Sequence, residues 1–242
     1  MPSVEEHYKE VLAHHYAWIY GGAENQIGVY RAFFSEHALH PDGSGFALDL
    51  GAGCGFQSIP LAELGFQVIA IDLSRELLDQ LRDRRGGLPI VAIRDDLLNF
   101  GRHSPQPYDL IVCMGDTLTH LNTLRDVQTL IKKVQKSLVP MGRLILGFRD
   151  MSVAVRDLER FIPVRSDADR IFTCFLEYEL RHVKVHDLVY ERCADRWVLH
   201  KSFYRKLRIS AQWLQTQIKK VGLEFEHLDV NNGITTMIAR KL

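Results

Sequence analysis

Three glycines at every second position, in the run Asp49-Leu50-Gly51-Ala52-Gly53-Cys54-Gly55 directly behind the apolar stretch Phe46-Ala47-Leu48, restrict this chain more than anything else in it. An apolar run that stops in glycine marks a buried strand whose backbone turns sharply into a helix. Glycine tolerates positive φ and lets a ligand lie against bare backbone. Three of them at a strand-to-helix turn therefore describe a cradle for a small molecule. The spacing is Gly-x-Gly-x-Gly, whereas a dinucleotide fingerprint wants its third glycine one place later, where Phe56 stands.

Strand-like and helical runs alternate up to residue 150. The stretches 46–50, 67–71, 90–93, 110–113 and 143–148 are short and almost continuously apolar, the composition of strands buried on both faces of a parallel sheet. Ser74 is placed to cap a helix over 75–84 that Gly86-Gly87 ends, and Val127, Leu130, Ile131 and Val134 give helical spacing to 124–138, closed by Pro140 and Gly142. The alternation predicts an α/β fold with a doubly wound, mostly parallel, Rossmann-like sheet. From Arg170 to Ile209 the chain has no glycine and is rich in Phe, Tyr, Val and Trp, which predicts a β-rich insertion after strand 5. A helix over 211–221, ended by Gly222, and a hairpin at Asn231-Asn232-Gly233 follow.

Composition narrows the partner. Thirty basic residues balance thirty acidic ones, so the net field draws neither nucleic acid nor an anionic membrane, and a small or neutral substrate is expected. With 46% hydrophobic content over 242 residues the chain can bury one large core, so a single domain is expected. Cys54, Cys113, Cys174 and Cys193 form no C-x-x-C pair and accompany no zinc-spaced histidines, which predicts ordinary thiols in a reducing cytoplasm and no metal. The polar opening Met1-Pro2-Ser3-Val4-Glu5-Glu6 lacks the basic-then-apolar order of an export signal, and no run reaches the roughly eighteen apolar residues of a membrane span. The expectation is a cytoplasmic monomer or homodimer.

The run 49–55 resembles the first motif of the class I S-adenosylmethionine-dependent methyltransferases, Asp/Glu-x-Gly-x-Gly-x-Gly. The resemblance implies a seven-stranded sheet ending in an antiparallel hairpin, S-adenosylmethionine as cofactor, and the loop residues Asp49, Gly51, Ala52, Gly53 and Gly55 against its methionine part. Asp72, followed by Leu73, closes the second strand where a carboxylate can accept hydrogen bonds from both ribose hydroxyls; a simple helix-terminus charge is the alternative. The third strand ends in Arg94-Asp95-Asp96-Leu97, where the family places an acidic contact to the adenine amino group. The continuation Leu97-Leu98-Asn99-Phe100 favours Asp96 over Asp95, with a solvated acidic turn as the alternative.

The fourth strand runs into Met114-Gly115-Asp116-Thr117-Leu118-Thr119-His120-Leu121. It lacks the Asn/Asp/Ser-Pro-Pro-aromatic element of enzymes that act on base amines. It is similar instead to the Gly-Asn/Asp-Ser-Phe-x-His-Leu run of glycine N-methyltransferase-like, small-molecule members. That likeness implies Met114, Gly115 and Asp116 beside the cofactor, and His120 near the sulfonium or substrate as the candidate catalytic residue; a structural histidine is the alternative. The aromatic segment 14–22 supplies Tyr20, either folded over the cofactor with its ring toward the sulfonium or packing an N-terminal helix on the sheet. Arg149, Tyr178 and Arg205 are candidate substrate contacts, the arginines as carboxylate clamps.

The implied organisation is one methyltransferase domain over 1–242: an N-terminal helical cover (1–45), a cofactor-binding half (46–150), a β-rich substrate-covering insertion (151–209), and a final helix and strand pair (210–242). The implied activity is methyl transfer by in-line displacement to a nitrogen or oxygen of a small molecule, in a closed pocket lined by some of Phe172, Phe175, Tyr178, Tyr190, Trp197 and Phe203. RNA or protein methylation, hinted at by the basic run 201–208, and a non-catalytic cofactor-binding regulator of the same fold are the alternatives.

Overall fold

The computed structural model describes residue 7 and residues 12–103 and 107–242; the first part of the expected N-terminal cover, residues 1–6 and 8–11, lies outside them. Two helices, α1 (Ala13–Ile19) and α2 (Ala23–Glu36), precede the sheet. Its parallel strands are β1 (Phe46–Leu50), β2 (Gln67–Asp72), β3 (Ile90–Arg94), β4 (Tyr108–Cys113) and β5 (Leu138–Phe148). Helices α3 (Ser58–Glu63), α4 (Arg75–Arg84) and α5 (Leu124–Ser137) connect them. After an inserted segment, α6 (Ala211–Lys220) leads into the antiparallel pair β10 (Leu223–Asn231) and β11 (Ile234–Lys241), joined across Asn232-Gly233.

The seven strands lie in the order β10-β11-β5-β4-β1-β2-β3, with β11 antiparallel to β5. The chain leaves β1 toward β2 on one side and returns to β4 on the other, so the sheet opens a crevice at the carboxyl ends of β1 and β4, where doubly wound folds bind ligands. β4 is buried at every position and β1 at all but its first, as two-sided covering requires. One core cluster joins Leu48, Leu50 and Ile111 to α5 and α6; the other joins Ala47, Val68 and Ala70 to α2, α3 and α4.

The Ser74 cap behaves as the sequence predicts. Ser74 accepts from Leu77 N and starts α4, while Thr123 and Asp126 form a reciprocal capping box on α5. The start of β5 does not. Instead of a helix to 138 closed by Pro140 and Gly142, α5 stops at Ser137 and Leu138 already pairs with Tyr108. Pro140 and Gly142 sit inside the strand at an irregularity of the β4 pairing, where Met141 takes φ 66°. A Cβ at Gly142 would stand 3.0 Å from the carbonyl oxygen of Tyr108, so close backbone approach, not helix termination, calls for glycine there.

Between β5 and α6 the chain forms a second, four-stranded antiparallel sheet of β6 (Phe161–Ser166), β7 (Arg170–Tyr178), β8 (His182–Cys193) and β9 (Arg196–Leu207). The sequence points to β7–β9 but not to β6, an edge strand that contains Pro163 and is exposed throughout. Val183, Val185, Asp187 and Val189 of β8 alternate inward and are buried; with Phe172, Leu176 and Tyr204 the valines form a separate small core. The inner end of β9 packs on a 3₁₀ turn, Thr117–His120, that leaves β4.

Candidate active site

The crevice is lined by Tyr16, Gly51, Gly53, Ile71, Asp72, Leu73, Ser74, Leu77, Asp95, Leu97, Thr117 and His120. Its floor is the glycine turn. Gly51, Gly53 and Gly55 have φ of 78°, 52° and 92°, all in the region that favours glycine. Their surroundings differ. A Cβ on Gly51 would lie 2.7 Å from the Cβ of Thr117, and one on Gly55 would overlap Leu81 Cδ1. A Cβ on Gly53 would reach nothing closer than Leu77 at 3.7 Å and Tyr16 at 3.8 Å, both residues of the cleft wall. Gly51 and Gly55 let the turn pack; Gly53 leaves bare backbone facing the crevice.

Asp72 anchors this turn to the next strand. Its carboxyl accepts from Gly53 N at 2.8 Å and from Ser74 N at 2.7 Å. Burial pushes its pKa up, and the backbone N–H groups of Ser74 and Gly53 pull the other way. Each oxygen takes one backbone donor and retains acceptor capacity for a hydroxyl. Asp49 lies behind the loop, where its Oδ2 accepts from Ser58 Oγ at 2.6 Å. Its buried Oδ1 has no hydrogen-bond partner among the described residues, and burial pushes its pKa up to about 7.

At the end of β3 it is Asp95, not Asp96, that joins the cleft wall. Asp96, which the sequence favoured, is exposed and stands outside the lining, its Oδ1 accepting from Leu98 N to cap the following 3₁₀ turn. The hydrogen bond from Asn99 and then that from His103 hold Asp95 down at about 2. On the opposite wall the aromatic residue is Tyr16, one helical turn before Tyr20. Tyr16 stacks on Phe56 with ring centres 5.6 Å apart, and Tyr20 meets the same ring edge-on at 5.7 Å. Tyr20 thus packs behind the wall instead of lining it.

Ala52, Gly55, Met114, Gly115 and Asp116 also stand outside the lining. Ala52 and Met114 are core residues, and a Cβ on Gly115 would come within 3.9 Å of the Tyr16 hydroxyl. Asp116 is structural in its contacts. Held at φ 71°, its carboxyl accepts from Arg149 N at 2.9 Å and Thr119 Oγ1 at 3.2 Å, and pairs with Lys206 of β9 in a buried salt bridge. It ties β4, β5 and the second sheet together at the mouth of the crevice.

His120 lines the cleft 5.3 Å, ring centre to ring centre, from Tyr204 on the inner face of the second sheet. Desolvation, reinforced by the Lys206 charge, lowers its pKa to about 3, so the ring is neutral throughout the physiological range. A loss of activity on protonating this histidine near neutrality is therefore not expected. Asp49 and His120 act oppositely on stability. Asp49, raised from 3.8, binds more proton in the folded state, so its contribution is lost as pH rises toward about 7; His120, lowered from 6.5, makes stability fall as pH drops below 6.5. Each slope approaches about 1.4 kcal/mol per pH unit. Asp49→Asn is expected to lose stability faster than the parent as pH falls from 6.5 to 3.8 in urea titrations; parallel curves would mean that Asp49 is ionised in the fold.

The three substrate candidates do not meet in the crevice. Arg149 Nη1 donates to the carbonyl of Asn232 at 3.2 Å, Arg205 forks onto Glu179 at 2.9 Å on the outer face of the sheet, and Tyr178 lies 5.5 Å from the Arg208 guanidinium. None of the six aromatic residues proposed for a closed pocket lines the crevice. Phe175 and Phe203 flank His186 on the outer face, and Tyr190 and Trp197 are exposed there. The basic run 201–208 is likewise split, since Lys206 turns inward and Arg208 donates to the carbonyls of Met151, Ser152 and Glu179. Among the described residues no helix is long and apolar enough to cross a membrane.

Residues 47–142 match a family model described as a methyltransferase domain. A glycine/sarcosine N-methyltransferase of Halorhodospira halochloris is 33% identical over 120 residues, which cover 49% of this chain and 44% of that protein. A ubiquinone biosynthesis O-methyltransferase of Proteus mirabilis (strain HI4320) is 30% identical over 102 residues, 41% of this chain and 40% of that protein. The chain thus spans less than half the length of these curated relatives. In fold, it is similar to an S-adenosylmethionine-dependent methyltransferase from Clostridium acetobutylicum ATCC 824, with a TM-score of 0.72 at 17% identity over 89% of this chain and 91% of that one.

Proposed function

We propose that this chain, whose residues 47–142 match a methyltransferase-domain model, is a class I S-adenosylmethionine-dependent methyltransferase that transfers a methyl group to a nitrogen or oxygen of a small molecule. The single observation that carries the proposal is Gly53: it lines the crevice beside Gly51, and of the three loop glycines it is the one where an added Cβ would meet its neighbours, the cleft-wall residues Leu77 and Tyr16, only at ordinary contact distance. The residues around it suit the cofactor. Gly53 and Tyr16 would border its methionine part, Asp72 would accept from the ribose hydroxyls, and Asp95 with Leu97 would enclose the adenine. When bound, S-adenosylmethionine supplies an electrophilic methyl group, the C–S electron pair returning to sulfur as the new C–N or C–O bond forms.

The protein's share is alignment and exclusion of water. Tyr16, Thr117 and His120, all in the lining, would confine the nucleophile. A neutral His120 can accept a hydrogen bond from an amine or hydroxyl and so orient its lone pair, without first having to shed a proton. The N- and O-methylating relatives support a small acceptor, and the 201–208 run, with Lys206 turned inward and Arg205 paired with Glu179, gives less support to RNA than its sequence suggests.

Calorimetric titration tests this directly. S-adenosylmethionine and S-adenosylhomocysteine are expected to bind and NAD not to, and Asp72→Ala to weaken binding by about 1–3 kcal/mol through the lost acceptor. Preference for NAD, or wild-type affinity in Asp72→Ala, would remove the assignment.

A further inference from the structure

The inner face of the second sheet holds a buried carboxyl that the cofactor crevice does not use. Asp187 is 1% exposed, flanked along β8 by Val185 and Val189, with Cys174 and Ser202 in register on the neighbouring strands. A carboxyl in such surroundings is costly unless it is partnered. Its Oδ1 accepts from Cys174 Sγ at 3.0 Å, and its Oδ2 stands 2.8 Å from Nε2 of His7, which is completely buried and 180 residues distant in sequence. The His7 ring lies 4.4 Å from the ring of Tyr204, and Tyr204 lies 5.3 Å from His120 on the cleft wall. A nitrogen ring is therefore held by a carboxyl, against an aromatic face, one side chain beyond the crevice.

We propose that Asp187 and Tyr204 form the acceptor subsite, that its ligand is a basic nitrogen of the amine class, and that the His7 imidazole occupies it here as an internal surrogate. The proposal rests on the methyl-transfer reading above. An amine that donates one N–H to Asp187 keeps its lone pair for the methyl group, and the ammonium formed by transfer is stabilised by the same carboxyl and by the Tyr204 ring face. A hydroxyl acceptor would gain much less, because its proton would pass to Asp187 and leave a neutral ether beside a neutral acid, with no charge for the carboxyl or the Tyr204 ring face to stabilise. The subsite thus selects nitrogen over oxygen.

Removing the surrogate tests this. The full-length His7→Gly chain is titrated with imidazole and ethylamine, and with acetate as the anionic control, following Tm and the His120 ring resonances. Imidazole and ethylamine are expected to raise the Tm of His7→Gly but not of the parent and to shift the His120 signals; adding Asp187→Asn weakens this binding by about tenfold or more. If His7→Gly does not fold, His7→Asn carries the same titration. S-adenosylhomocysteine affinity is measured in each variant as an independent readout. Retained cofactor affinity without amine binding, equal binding of acetate, or unmoved His120 resonances would overturn the subsite. Loss of cofactor affinity in the parent would instead overturn the methyl-transfer reading.

Discussion

Replacing Lys206 by methionine is expected to cost about 3–5 kcal/mol of stability, the penalty for leaving a buried carboxyl without its cation. Methionine matches the length of the lysine stem, so the loss falls on Asp116, which is 5% exposed and cannot turn to water because Arg149 N and Thr119 Oγ1 hold its other oxygen. Denaturant unfolding measures the loss. Adding Asp116→Asn should recover much of it, since asparagine tolerates the φ of 71° and still accepts from Arg149 N, so the two changes couple strongly. The same variant tests the electrostatics of the cleft. Lys206 is the second cause, after desolvation, of the low His120 pKa, so an NMR titration of Lys206→Met should show that ring titrating at higher pH. A cost under about 1 kcal/mol, the range of exposed pairs, would show that water reaches Asp116 in the folded protein.

What could be read from the sequence was what is local. The glycine spacing, Asp72, the Ser74 cap and the apolar runs of β1, β2 and β4 are each set by neighbours a few residues away, and the structure places them within a residue or two of the expected bounds. The misplaced residues fail by one turn or one face. Tyr16 on α1 and Tyr20 just beyond its end are four residues apart, and only the packing on Phe56 decides which of them meets the crevice. Arg205 and Lys206 are adjacent on β9, so period two sends one outward to Glu179 and the other inward to Asp116. The buried neighbour Tyr204 shares the inward parity of Lys206, but nothing in the sequence says which side of that strand is covered. Contacts such as His7 with Asp187 join residues 180 positions apart and leave no periodic trace at all.

The glycine loop yields the second large effect, because its three positions are expected to respond differently to the same added methyl. Gly53→Ala pays only the left-handed backbone penalty, about 1–2 kcal/mol, since its Cβ meets Leu77 and Tyr16 at ordinary contact distances. Its methyl group projects into the cleft, so S-adenosylhomocysteine binding is expected to weaken by about a hundredfold, or about 2.7 kcal/mol. Gly51→Ala combines the same penalty with an overlap on the short, unyielding side chain of Thr117, so about 2–5 kcal/mol of stability should go. Gly51→Ala with Thr117→Gly should recover the overlap share. Gly55→Ala falls between, because the obstructing atom is the mobile end of Leu81. Urea unfolding beside calorimetric titration separates the two quantities. Equal losses of stability and affinity at Gly51 and Gly53 would mean that the loop is a packing element throughout, and the crevice would lose its claim to the cofactor.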